Sequence, residues 1–313
     1  MRHHAILLTG VGPHPSYRSM HISSFFRRTL CRALARSRGE RWHALSSAQA
    51  DLAECPRWSR DAKSVFWIDT ATGSLHLTDV ATAEGDSATR SWKVGAEIAA
   101  LVLDAEVGTW AWVDGSLMRF DNEGRTIANA GAIPGLICAT TRANDAAWAP
   151  DGSLWIATMA RDGVTELGSV IQYQPTSGFS TITTGLAIGN GPVFDRQRKV
   201  AYVADSVMRR VLRLCLIART ESEPFIILGD HEGNPDGMAV DHAGNVWVAH
   251  YGAARISVWS PAGVRLRTID TPCSCPTAID LDHRAHGVRA AVTSATVGTE
   301  VGGLWSLTMP SVV

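Results

Sequence analysis

Asp236 stands in Gly233-Asn234-Pro235-Asp236-Gly237-Met238-Ala239-Val240-Asp241, where Asn, Pro and Gly fix the backbone around a single carboxylate. Short apolar stretches at 238–240 and 246–249 follow it and read as strands bounded by turn residues. An acid held by rigid turn chemistry at the mouth of a strand is suited to hold a metal or to act as a base. Three other segments carry polar residues at the same phase, just ahead of an apolar strand. These are Glu54-Cys55-Pro56-Arg57-Trp58, Arg142-Ala143-Asn144-Asp145 and Gly189-Asn190-Gly191-Pro192. One Glu, one or two Asn and one Asp make an all-oxygen set, the donors that hard or borderline divalent cations take: Ca²⁺, Mg²⁺, Mn²⁺ or, with carboxylates, Zn²⁺. Enclosed together without a cation, Glu54 and Asp236 would repel until one took up a proton. The bland alternative is four unrelated turns.

Residues so far apart in sequence meet only if the chain repeats, and it does. Six segments share an apolar start, a polar turn and a strand with aromatics. They begin at Trp58, Leu103, Trp148, Phe194, Val240 and, more weakly, Leu281. Trp67, Trp112, Trp155, Tyr202 and Trp247 follow one another at about 45 residues, the length of a propeller blade. Each unit continues into a further strand pair, as at 75–79 and 256–260, with almost no helical periodicity between. The fold class expected is therefore all-β, a six-bladed β-propeller of four-stranded blades spanning 41–313 as one domain. The stretch 41–45 is expected to complete the last blade. The recurring aromatics read as core, and Asp69, Asp151 and Asp195 as turn-forming acids. His250 reads either as a channel-facing substrate contact or as a hydrogen-bonded structural residue, the second being favoured.

The 313 residues are 45% hydrophobic and 19% charged with a formal net charge of −1, so no global field favours nucleic acid or a membrane surface. No apolar run reaches the ~20 residues of a membrane span. The six cysteines are scattered, as expected of reduced thiols in a cytoplasmic protein. Cys273 and Cys275 form a pair, but no second pair stands at metal-site spacing. Residues 1–40 differ from the rest, with Arg2, Arg18, Arg27, Arg28, Arg32, Arg36 and Arg38 against Glu40. They read as a basic extension, disordered or placed before the true start, rather than as a targeting segment, because no clean apolar stretch or cleavage site accompanies the arginines.

The order of these motifs resembles the senescence marker protein (regucalcin), gluconolactonase and luciferin-regenerating enzyme family. The resemblance runs from about residue 42 to 309. It also takes in Thr158-Met159, Tyr202-Val203-Ala204-Asp205-Ser206, Pro276-Thr277 and Gly302-Gly303-Leu304-Trp305. It implies one divalent metal in the channel held by Glu54, Asn190 and Asp236, with Arg142 and Asn144 facing substrate. It further implies hydrolysis of a small-molecule sugar lactone, with Asp236 as general base, by a monomer or weak homo-oligomer. A related metal-dependent esterase or phosphotriesterase, or a calcium-binding propeller without turnover, are the alternatives. Departures fall around the site. Cys55 stands for a usual Gly, Ala146-Ala147-Trp148 for Gly-Lys and an Asp, and Ala157 for a Gly. Arg161 stands in a stretch, 160–162, where a Glu commonly follows Thr-Met. The implied metal ligands are retained while the substrate side differs.

Overall fold

The structure is a computed structural model that describes residues 39–80, 87–103, 108–132, 140–218, 223–283 and 285–310. The basic stretch 1–38, Cys31, Cys138, the turn at 104–107 of the second repeat and Arg284 of the sixth lie outside the described residues.

Six antiparallel four-stranded sheets follow one another as blades, and the described residues contain no helix. The first is β2 (Ala53–Trp58), β3 (Ser64–Asp69), β4 (Ser74–Asp79) and β5 (Thr89–Lys93). The second is β6 (Ile98–Leu103), β7 (Thr109–Val113), β8 (Ser116–Phe120) and β9 (Thr126–Ala132). The third is β10 (Thr141–Trp148), β11 (Leu154–Ala160), β12 (Gly168–Gln174) and β13 (Gly178–Leu186). The fourth is β14 (Gly189–Asp195), β15 (Val200–Asp205), β16 (Arg210–Cys215) and β17 (Glu223–Ile227). The fifth is β18 (Asn234–Val240), β19 (Val246–Tyr251), β20 (Arg255–Trp259) and β21 (Arg265–Asp270). The sixth is β22 (Pro276–Leu281), β23 (Val288–Ser294) and β24 (Gly303–Met309), with β1 (Arg41–Ala44) as its outer strand. The first strands β2, β6, β10, β14, β18 and β22 touch in a closed ring and line the axis.

The expected six-bladed propeller is what forms, and the packing shows why. Second strands lie between neighbouring blades and are apolar on both faces; β11 is buried from end to end. Trp67, Trp112, Trp155, Tyr202 and Trp247 are all buried on second strands, filling the spaces between sheets as core. Outer strands such as β5 and β9 are largely exposed and carry polar or charged residues, which discourages pairing with another chain.

The ring closes through the chain's early strand, as the sequence predicts. Arg41–Ala44 pairs antiparallel with β24 in the register Trp42 to Leu307, and Leu45 N donates to Leu304 O at 2.9 Å. Acids at the ends of second strands tie down the connectors leading into the inner strands. Asp69 accepts from Asp51 N and Leu52 N, Asp114 from Ala96 N and Glu97 N, and Asp205 from Ala187 N. These bonds fix where each inner strand begins, and so where its side chains enter the channel.

Removing residues 1–45 strips β1 and exposes β24. We expect the melting midpoint to fall on the order of 10 °C, from several lost ladder bonds and the packing of Trp42 and Leu45. An unchanged midpoint in differential scanning calorimetry would mean the ring does not depend on this strand.

Candidate active site

All six inner strands depart from regular register at the same height. The irregularities fall between Glu54 and Arg57, Ala99 and Leu101, Ala143 and Asp145, Asn190 and Val193, Pro235 and Met238, and Pro276 and Ala278. A bulge breaks the strict alternation of a strand and re-aims a side chain. Asn144 and Asp236 are the bulged residues themselves, and Glu54 and Asn190 are the last paired residues before theirs. The sequence reading placed Asp236 on a loop at a strand mouth; the structure instead puts it inside β18, on the bulge. Gly237 is required there because a Cβ would stand 2.3 Å from the Cβ of Ala278 on the next blade.

The predicted polar residues come together at the axis. Glu54 is partly accessible, whereas Asp236 and Asn190 are buried. Asn144 Nδ2 donates to Gly189 O at 3.0 Å and to Asn190 Oδ1 at 2.9 Å. The carbonyl can only accept, which fixes the amide orientation of Asn144 and occupies its donors. Asn190 Nδ2 donates to Ser206 Oγ at 2.9 Å, and Ser206 Oγ donates to Pro235 O at 2.7 Å. This relay crosses blades three, four and five. It leaves an unused lone pair on Asn190 Oδ1 and the Asn144 Oδ1 oxygen facing no donor among the described residues.

Three further groups complete the site, and the sequence reading gave them no role. Asp145 Oδ1 accepts from Arg57 Nη2 at 3.3 Å, Cys55 Sγ at 3.5 Å and Ala146 N at 2.8 Å, while its Oδ2 accepts from Gly191 N at 2.9 Å. It thus clamps blades one, three and four. Arg57 also lies near Asp280, whose Oδ2 accepts from Trp58 N at 2.8 Å. Asp145 directly follows Asn144, and in a regular strand the two would face opposite ways; the bulge brings both to the axis.

The electrostatics follow from this crowding. Burial, then Asp236 and then Asp145, push the Glu54 carboxyl well above the usual carboxylate range. Burial and Asp145 do the same to Asp236. Burial also raises Asp145 despite Arg57, and raises Asp280. The donor set fits a divalent cation: two enclosed carboxylates, each relieved mainly by the following backbone N–H, and an amide oxygen with a lone pair to spare. No group of three or more His, Cys, Asp or Glu placed to hold a metal occurs among the described residues, so this set depends on the amide oxygen beside its two carboxylates. Arg142 is half-buried at the rim of this set, its Nη1 donating to Ala143 O at 3.1 Å.

Cys55, with φ of 50°, is buried and turned to Asp145, so it does not block the carboxylates. Trp148 packs against the core between blades two and three, at the opposite end of β10 from Arg142. His250 is fully buried; Nδ1–H donates to Glu232 O at 2.7 Å and Nε2 accepts from Ser257 Oγ at 2.6 Å, a structural role. Cys273 and Cys275 are free thiols, and burial pushes Cys273 up to about 12, which keeps it protonated and unreactive.

A carboxyl raised in the fold loses stability as pH climbs from its unfolded to its folded pKa, because the folded state then holds the extra proton. In cation-stripped protein, Asp236→Asn is therefore expected to melt several degrees higher than the parent at pH 8. The difference should vanish near pH 4, where both carry an uncharged group. A variant less stable than its parent at pH 8 would contradict the crowding of charge at the axis.

The profile of the SMP-30/Gluconolactonase/LRE-like region matches residues 52–296. A pentonolactonase, XacC, of Haloferax volcanii is 28% identical over 239 residues, which cover 73% of this chain and 76% of that protein. The calcium-binding protein regucalcin from Agrobacterium tumefaciens superposes with a TM-score of 0.74 at 21% identity, over 86% of this chain and 96% of the other. A gluconolactonase from Xanthomonas campestris gives 0.70 at 21% identity, over 89% and 93%. No helix in the described residues is long and apolar enough to cross a membrane. The chain belongs to the SMP-30/gluconolactonase/LRE-like family.

Proposed function

We propose that this protein is a divalent-cation-dependent hydrolase that opens sugar lactones to their acids. The observation that carries the reading is the meeting of Glu54, Asn190 and Asp236 at one height of the channel, with Arg142 and Asn144 beside them. Family relatives named as lactonases support the substrate class, and a structural neighbour described as calcium-binding supports the cation. Glu54, Asn190 and Asp236 would hold Ca²⁺, Zn²⁺, Mn²⁺ or Mg²⁺. The cation would supply Lewis acidity and a water of lowered pKa.

The chain's own groups account for the rest. Asp236, an ionised carboxylate when the cation is in place, accepts the proton of the attacking water as general base. Arg142 donates hydrogen bonds to the developing oxyanion or to ring hydroxyls from its remaining N–H groups. Asn144 has committed its N–H groups to Gly189 and Asn190, so it meets substrate through Oδ1, accepting from a sugar hydroxyl. A lactone lacking that hydroxyl leaves the amide oxygen unpaired in the closed complex and binds worse. Asp145 and Ser206 touch no substrate; they hold Gly191, Arg57 and Asn190 in place.

The test is hydrolysis of an aldonolactone panel by cation-stripped protein, with Ca²⁺, Mg²⁺, Mn²⁺ and Zn²⁺ returned one at a time. Turnover should return with at least one cation. Asp236→Ala should lose about 10³-fold in kcat, the scale of a general base. Full lactone hydrolysis by Asp236→Ala, or by the stripped protein, would overturn the reading.

A further inference from the structure

Two carbonyls anchor the hydrogen-bond relay at the axis, one at each end, and a carbonyl can only accept. At one end Gly189 O takes one hydrogen of Asn144 Nδ2 at 3.0 Å, and the second hydrogen meets Asn190 Oδ1 at 2.9 Å. At the other end Pro235 O takes the single hydroxyl hydrogen of Ser206 at 2.7 Å. With that hydrogen spent, Ser206 Oγ can only accept from Asn190, so the atom facing it at 2.9 Å is Nδ2. Turning the Asn190 amide over would set nitrogen against nitrogen on the Asn144 side. On the Ser206 side it would set oxygen against a hydroxyl with no hydrogen left to give.

The turn that Ser206 begins does not need its hydroxyl. The Ser206 backbone N–H donates to Ile188 O at 3.0 Å, and its carbonyl accepts from Arg209 N at 3.2 Å. The preceding Asp205 accepts from Ala187 N and pairs with Arg210. A turn serine commonly spends its hydroxyl on nearby backbone. This one reaches 16 residues back and 29 residues forward instead, to the inner strand of its own blade and to that of the next. Both partners belong to the proposed cation site, for Asn190 is one of its ligands and Pro235 directly precedes Asp236. The buried hydroxyl thus ties β14 to β18 at the height where both strands are bulged.

We propose that Ser206 is a positioning residue that sets which face Asn190 offers the channel and holds that face beside the strand of Asp236. This deepens, and rests on, the cation-site reading. An amide serves a hard cation through its oxygen alone, and one turned over would direct N–H groups at the charge. A carboxylate in the same place has no wrong face. The dependence on Ser206 therefore belongs to the amide and largely disappears when Asn190 is replaced by Asp.

The experiment measures Ca²⁺ and Mn²⁺ affinity by titration calorimetry on the cation-stripped full chain. Ser206→Ala should weaken binding by about 10–100-fold, the usual worth of an outer partner that orients a ligand. Ser206→Thr, which keeps the hydroxyl, should recover most of that loss. In an Asn190→Asp background the same Ser206→Ala change should lose most of its effect, a coupling that damage to the fold alone would not produce. Affinity unmoved by Ser206→Ala, or an equal loss in both backgrounds, would overturn the proposal. A parent that binds neither cation defeats the cation reading instead. The role of Ser206 is then decided by NMR of the Asn190 side-chain amide in the same stripped protein. Nδ2 hydrogens that exchange slowly with solvent in the parent and fast in Ser206→Ala uphold it, and equal exchange refutes it.

Discussion

At the axis of the propeller the carboxyl groups of Glu54, Asp145, Asp236 and Asp280 crowd together, with Arg57 beside Asp145 and Asp280 and Arg142 near Glu54. At an effective dielectric near 20, two like unit charges about 4 Å apart repel by about 4 kcal/mol. A fold stabilised by only about 5–15 kcal/mol overall does not carry several such repulsions without relief. The relief comes in three ways. Arg57 ties Asp145, backbone N–H groups serve all four carboxyls, and the charge still crowded at Glu54 and Asp236 is relieved by protons or, in the proposed function, by a cation. In the proposed function proton and cation would compete for the same two groups, which is the physical root of the proposed chemistry.

The rest of the architecture holds that cluster in position. Inner strands are set by connectors pinned to Asp69, Asp114 and Asp205, and the second strands of the first five blades are locked in place by a large buried aromatic. Bulges at a common height turn polar side chains from several blades toward one point. The relay from Asn144 through Asn190 and Ser206 to Pro235 then fixes which atom each amide presents. An amide that spends its hydrogens on the frame can offer only oxygen to a ligand. That is why Asn190 suits a cation and Asn144 suits a hydroxyl donor.

Much of this was legible in the residues, for definable reasons. In five of the six blades a bulky aromatic fills the second strand, so Trp67, Trp112, Trp155, Tyr202 and Trp247 recur at blade spacing and reveal the repeat, while β23 of the sixth has none. Polar residues at a shared phase, Glu54, Asn144, Asn190 and Asp236, mark the channel, because an apolar inner strand is interrupted there for cause. What stayed hidden depends on the bulges. Alternation would send Asp145 away from Asn144, and no pattern in the sequence says that Ala143 to Asp145 skips a partner. Arg57 and Asp280 lie 223 positions apart and meet only when β2 closes the ring against β22. Ser206 reads as an ordinary turn serine until its partners, Asn190 on its own blade and Pro235 on the next, are seen. Cys55 and Trp148, where the sequence departs from the family around the site, are turned away from the carboxylate pair by a positive φ and by strand length.

The competition between protons and cation at Glu54 and Asp236 is tested most directly by counting protons. Cation binding to the stripped protein is followed by titration calorimetry near pH 6 in two buffers of different ionisation enthalpy. The account predicts that binding releases protons into the buffer, that the release shrinks as pH rises, and that Glu54→Gln and Asp236→Asn each weaken binding sharply. Tight binding without proton release, unaffected by either substitution, would place the cation elsewhere and contradict the account.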